Sequence, residues 1–256
     1  MAIIIKTREE IAVMREAGRI TAKALEAMCK AVRPGITTAE LDAIARDIFR
    51  AHHAIPAFLG YPNPNYANRP YPAVITASIN DELVHGIPGR RVLKEGDIIS
   101  LDCGCIYNGF VGDAAVTVGV GCISAEAARL LRVTEEALYK AIETSRVGKR
   151  LGDVSAAIQE HAERHGYNVV REYTGHGVGR EMHEDPQIPN WGKPGSGIPL
   201  RAGMTYALEP MIIAGQPEVY VKGDAWTVAT KDHSLCAHFE HTIAVTDGDP
   251  EILTLP

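Results

Sequence analysis

Apolar residues recur at helical spacing near the start of the chain: Ile11, Met14, Ala17, Gly18 and Thr21 follow a Thr7-x-x-Glu10 capping-box pattern. This predicts a helix over residues 7–32, with a second over 38–52. The pairing recurs at 124–146 and 152–165. Strand-like runs rich in β-branched and aromatic residues occur at 74–78, 97–105, 110–117, 168–173, 205–213, 226–230 and 239–245. Helices in pairs and strands in groups predict an α+β fold with antiparallel sheet rather than alternating βαβ units. Setting Gly35 on Gly148 also sets Glu40 on Asp153, Leu41 on Val154, Ala43 on Ala156 and His52 on His165, which points to two similar halves. Residues 58–72 contain Pro62, Pro64, Pro70 and Pro72 and read as an ordered loop. No linker divides the chain, so 1–256 is expected to form a single domain.

Composition narrows the partners. A formal net charge of −6 and dispersed Lys and Arg speak against a nucleic-acid groove. No apolar run is long enough for a membrane span, and no signal peptide precedes the first helix, so the cytoplasm is the expected compartment. Cys29, Cys103, Cys105, Cys122 and Cys236 have no paired CxxC spacing and suit buried reduced thiols.

The candidate chemistry begins at Asn108-Gly109, the preferred pair for a type I′ hairpin turn. Such a turn sets Asp102 opposite Ala115 and Asp113 opposite Gly104. The two aspartates then share one face as diagonal neighbours, roughly 7 to 8 Å apart. Two aspartates alone read first as ordinary solvated side chains. Asp102, however, follows Ile98, Ile99 and Leu101 in a strand that looks buried, where an unpaired carboxylate is costly. Glycines flank His176 in Thr174-Gly-His-Gly-Val-Gly179, and Glu209 and Glu240 each fall in an apolar run. Buried glutamates are paired, protonated or metal-bound. Four carboxylates and an imidazole would neutralise two divalent cations, leaving a bridging hydroxide as the nucleophile for a hydrolase. The oxygen-rich donor set favours Mn, Fe, Co or Zn. HExxH fails at Gln187, and Ser196 has no GxSxG context. His52, His53, His161 and His165 read as ordinary helix-end residues, and His233, His238 and His241 carry no signal of their own.

SINDELVHGIP (78–88), SLDCG (100–104), GFVGDAAVTVG (109–119), TGHGVGREMHEDP (174–186), YALEP (206–210) and WTVATKDHSLCAHFEHT (226–242) together resemble the type I methionine aminopeptidases, almost from end to end. The resemblance implies the pita-bread fold: two pseudo-symmetric halves, antiparallel sheet flanked by helix pairs, around a dinuclear site. It implies that Asp102 binds one ion, that Asp113 and Glu240 bridge two, and that His176 and Glu209 complete the set, with Glu209 also taking a proton from the attacking water. His183 would contact the scissile carbonyl and His85 the leaving peptide nitrogen.

The implied reaction removes N-terminal methionine from nascent polypeptides and peptides whose second residue is small, by a monomer that meets its substrates at the ribosome. Tyr71, Thr76, Met182 and Trp226 fall where the methionine pocket is lined, with Phe58 a further candidate. Several members have Cys at the place of Thr76 and Phe at that of Met182, so pocket shape is where this chain departs. Phe58, Met182 and Trp226 read equally as core side chains. The nearest alternatives are a prolidase or aminopeptidase P, relatives that carry an additional N-terminal domain, and a non-catalytic binding protein on the same fold, which typically loses ligands.

Overall fold

The computed structural model describes residues 3–256. Its helices are α1 (Arg8–Ala31), α2 (Thr38–Ala51), α3 (Ala125–Thr144) and α4 (Leu151–Arg164). Thr7 caps α1, with its hydroxyl accepting from the Glu10 N–H and the Glu10 carboxylate accepting from the Thr7 N–H. Thr37 and Glu40 repeat that reciprocal pair at α2. Ser124 caps α3. At α4 the capping residue is Arg150, whose side chain accepts nothing, and only the Asp153 carboxylate serves the turn.

The strands are β1 (Ile55–Pro56), β2 (Ile75–Ile79), β3 (Glu82–Val84), β4 (Ile98–Tyr107), β5 (Phe110–Gly119), β6 (Asn168–Val169), β7 (Thr174–Gly177) and β8 (Glu184–Pro189), followed by β9 (Thr205–Leu208), β10 (Met211–Ile213), β11 (Val219–Val221), β12 (Val228–Thr230), β13 (Cys236–His238), β14 (Glu240–Ala244) and β15 (Glu251–Ile252). The main sheet runs β1-β4-β5-β14-β9-β7-β8, with β2 paired to β4 and β15 to β14. Two smaller sheets, β13-β10-β6 and β11-β12-β3, complete the set. Every strand pair is antiparallel, so the α+β expectation stands.

The two halves meet where β5 pairs with β14. One core lies under α1 and α2, with Leu41, Phe49, Ile75 and Leu101 fully enclosed. Another lies under α3 and α4, with Leu130, Val133, Val154 and Tyr206. Each such side chain contributes about 1.5 to 3 kcal/mol by leaving water.

The run at 205–213 is not one strand, because it breaks at Glu209-Pro210 and passes from the main sheet to the β13-β10-β6 sheet. Pro210 has no N–H to continue a ladder, which is why the chain changes sheet there. The run at 168–173 likewise yields only β6, and β1, β3, β7, β8, β11, β13 and β15 were not expected as strands. Residues 58–72 contain neither helix nor strand. Cys103, Cys105 and Cys236 are buried thiols as expected, but Cys29 is half-buried and Cys122 is exposed on the turn before α3.

Candidate metal centre

The β4–β5 hairpin turns at Asn108 and Gly109, both in the left-handed region, and its register pairs Asp102 with Ala115 and Gly104 with Asp113. Across β14, Ala115 also faces Glu240. Side chains two residues apart share a face, so Asp102, Asp113 and Glu240 surround the single methyl group of Ala115. A small residue there leaves space above the sheet for three carboxylates. The second half repeats the arrangement, since Ala207 pairs with both Thr242 and His176, and Glu209 stands two residues after it. All five candidate ligands thus rise from one face of the sheet.

Close backbone approach holds this face in place. A Cβ on Gly112 would lie 2.5 Å from the Ala17 backbone of α1, and one on Gly175 would lie 2.5 Å from the Ala207 carbonyl oxygen. Glycine lets the elements beside Asp113 and His176 pack directly on their neighbours.

Ligand atoms of Asp113, His176 and Glu240 lie within 4.8 Å of one another. His176 Nε2 is 3.4 Å from a Glu209 carboxylate oxygen and 3.7 Å from one of Asp113. Its Nδ1 lies 3.0 Å from the Gly177 carbonyl oxygen, which can only accept, so the proton sits on Nδ1 and Nε2 offers a lone pair to the cluster. Thr76 faces Asp102 across β2–β4 and donates its hydroxyl to that carboxylate at 3.4 Å.

Electrostatics explains what this arrangement asks for. Burial, reinforced by Asp113, raises the Asp102 pKa. Burial also pushes Asp113 up to about 7, opposed by its hydrogen bond with Glu240. Glu209 and Glu240 rise for the same reasons, burial first and neighbouring carboxylates second. Burial lowers His176 to about 3 and His85 to about 4, so neither imidazole neutralises the cluster as a cation. Asp102 Oδ1, Asp113 Oδ1 and Glu240 Oε1 are buried with no hydrogen-bond partner. Unpaired buried carboxylate oxygens beside a neutral imidazole lone pair fit divalent cations, which would satisfy them and restore the ionised form.

A cavity of about 280 Å³ opens above the cluster, and all twelve sequence-derived candidates line it: Phe58, Tyr71, Thr76, His85, Asp102, Asp113, His176, Met182, His183, Glu209, Trp226 and Glu240. Phe58 and Met182 are at once core side chains and cavity wall, each 8% exposed. Tyr71 and Trp226 meet edge to face at 5.1 Å. His85 occupies a left-handed backbone position just after β3 and stacks edgewise on Tyr173. His183 lies with its ring 4.2 Å from that of His176.

Three neighbours were not foreseen. Tyr61 places its hydroxyl 2.5 Å from His183 Nδ1, and Tyr173 stands in the cavity wall; Tyr61 comes from an irregular segment with no periodic signal, and Tyr173 from the end of a run expected as strand that is irregular here. His238 lies buried behind the cluster, its unpartnered Nε2 at 3.7 Å from Glu209 and 3.9 Å from Glu240. Its position two residues before Glu240 was the available clue. Glu209 itself sits at the break between β9 and β10 rather than inside a strand.

The profile of Metallopeptidase family M24 matches residues 12–247. A methionine aminopeptidase of Clostridium acetobutylicum is 52% identical over 99% of both chains. The crystal structure of a methionine aminopeptidase from Thermotoga maritima superposes with a TM-score of 0.95 at 49% identity, covering 100% of each chain. An Xaa-Pro dipeptidase from Bacillus anthracis reaches a TM-score of 0.77 at 25% identity, with 98% of this chain covered but only 61% of that one. Among the described residues no helix is long and apolar enough to cross a membrane.

Proposed function

This chain belongs to metallopeptidase family M24 and, within it, to the methionine aminopeptidases, and on that premise we propose that Asp102, Asp113, His176, Glu209 and Glu240 hold two divalent ions in the cleavage of N-terminal methionine. When bound, the ions supply Lewis acidity toward the scissile carbonyl and toward water. The protein's own groups do the rest. The apolar wall formed by Phe58, Tyr71, Met182 and Trp226, with Thr76 beside Asp102, accepts the methionine side chain. Glu209, whose pKa burial raises, accepts the proton of the attacking water.

His183 is held by Tyr61. With the Tyr61 hydroxyl donating to Nδ1, the His183 proton resides on Nε2 and donates to the oxygen that gains charge as the carbonyl becomes tetrahedral. Burial keeps His183 neutral below its usual pKa, which suits a donor that must not lose its tautomer. His85, also neutral, contacts the peptide nitrogen that leaves. The cavity of about 280 Å³ is at the small end for ligand pockets, which supports a small second residue after methionine. Residues 1–256 act as one catalytic domain, working as a cytoplasmic monomer on nascent chains at the ribosome, with Mn, Fe, Co or Zn in the site.

The observation that carries this reading is the convergence of four carboxylates and His176 on one sheet face with buried oxygens left unpaired. Metal-stripped protein titrated with Mn, Fe, Co and Zn should regain cleavage of Met-Ala-Ser and leave Gly-Pro and Ala-Pro-Ala intact, while Asp113→Ala should lower kcat/KM by about 10³-fold or more together with its bound metal. Cleavage of the proline substrates alone would refute the substrate, and a fully active, metal-retaining Asp113→Ala the site.

A further inference from the structure

The outer face of the second half carries another set of metal-ligating side chains. Glu136 projects from α3, His161 from the last turn of α4 and His165 from its C-terminal cap. One donor atom from each lies within 4.8 Å of the other two. His161 and His165 are four residues apart, a spacing that stacks side chains on one helix face, and their ring centroids are 4.5 Å apart.

One imidazole is already set for coordination, and the other carries a proton that an ion would displace. His165 Nδ1 is 2.8 Å from the His161 carbonyl oxygen, which can only accept, so the ring donates there and keeps its Nε2 lone pair free. His161 Nε2 stands 3.1 Å from a Glu136 carboxylate oxygen and donates its proton there, and an ion bound between the two would displace that proton. Burial lowers the His161 pKa, with the neighbouring His165 lowering it further and Glu136 opposing, and the neutral ring is the metal-binding form. None of the three residues lines the catalytic cavity.

We propose that Glu136, His161 and His165 form a second divalent-metal site, separate from the catalytic centre, that ties α3 to α4. Two imidazoles and one carboxylate are the donor set of three-ligand zinc sites that leave a position to water, and they favour Zn²⁺ and its borderline neighbours over Mg²⁺ or Ca²⁺. Arg132 opposes the ion, with its Nε 3.7 Å from the other Glu136 oxygen. Its side chain is exposed and free to turn into solvent, where screening weakens the repulsion. Arg129 is held at the His165 carbonyl, and Arg164 also lies near His161. An ion held by the folded pair and not by the unfolded chain stabilises the protein by mass action.

The test uses tag-free, full-length protein and the double variant His161→Gln/His165→Gln, each dialysed to equilibrium against Zn²⁺ and analysed for metal per chain. The double variant should bind one ion fewer while its Mn²⁺-dependent cleavage of Met-Ala-Ser is unchanged. Saturating Zn²⁺ should raise the Tm of the unsubstituted protein above that of the double variant by about 5 °C, with Glu136→Gln between them. Asp113→Ala should keep this ion while losing those of the cavity, which separates a failure here from a failure of the catalytic assignment. Equal Zn²⁺ content in the double variant and the unsubstituted protein, or an equal rise in Tm, overturns the proposal.

Discussion

The two halves of the molecule supply the proposed metal centre in different ways. The first half contributes Asp102 and Asp113 from one uninterrupted hairpin, whose turn and register follow from Asn108-Gly109. The second half contributes His176 from a four-residue strand, Glu209 from a break before a proline, and Glu240 from the first residue of a strand entered after a change of sheet. Continuous pairing sets the first two carboxylates within one local element. The other three proposed ligands are set by where the chain leaves one sheet for another, which depends on the rest of the fold. Related helix-pair frames therefore carry dissimilar chemistry, and the cavity exists only where the two are joined at β5 and β14.

That contrast can be tested first at the contact where the halves exchange a hydrogen bond over the cavity. Tyr61 comes from the first half and His183 from the second. His183→Ala should lower kcat for a methionyl tripeptide by about 10²-fold, the loss expected for one donor to a developing oxyanion. Tyr61→Phe should lower kcat by about tenfold with little change in KM, because only the tautomer preference is lost. A Tyr61→Phe enzyme with unaltered kcat would show that His183 needs no partner from the other half.

A second test concerns the charge that the halves share. Asp113 is pushed up to about 7 by burial, and Asp102, Glu209 and Glu240 are raised in the same direction. Without cations the folded protein therefore holds protons that the unfolded chain, with ordinary carboxylates near pH 4, has released. Stability of the stripped protein should be fully present below about pH 4 as far as these groups are concerned, and should fall as the pH rises toward and through about 7, by on the order of a few kcal/mol. Metal loading should abolish that fall. Thermal melts of stripped and loaded protein between pH 6.5 and 8 read this directly, because below that range buried neutral imidazoles such as His85 and His176 contribute the opposite slope. A stripped protein that gains stability from about pH 6.5 to 8 would contradict the assigned burial.

The smallest effect separates the helix pairs. Thr37→Ala removes a side-chain cap from α2 and should cost about 1 kcal/mol. Arg150→Ala, at the equivalent position of α4, removes no side-chain cap and should stay within about 0.5 kcal/mol. Urea melts of the two variants would show whether the halves differ in this respect.

Much of the architecture was legible in the residues. The four helices agree with their expected bounds to within a residue or two, because amphipathic spacing and the Thr-x-x-Glu caps are local signals. The β4–β5 register was legible for the same reason. The break at Glu209-Pro210, the short strands β1, β3, β7, β8, β11, β13 and β15, and the places of Tyr61, Tyr173 and His238 around the site were not. They owe their places to partners far away in the chain.

By itself the sequence determined the helix pairs, the hairpin that puts Asp102 and Asp113 on one face, and, through its resemblance, the family and the reaction. Only the tertiary structure decided that Ala115 and Ala207 clear the space in which the proposed ligands converge, that three carboxylate oxygens end buried without partners, and that the Tyr61 hydroxyl lies against His183 Nδ1. The reason is physical. Side-chain periodicity is a property of a segment, whereas burial, desolvation and the position of a proton are properties of what several segments enclose together.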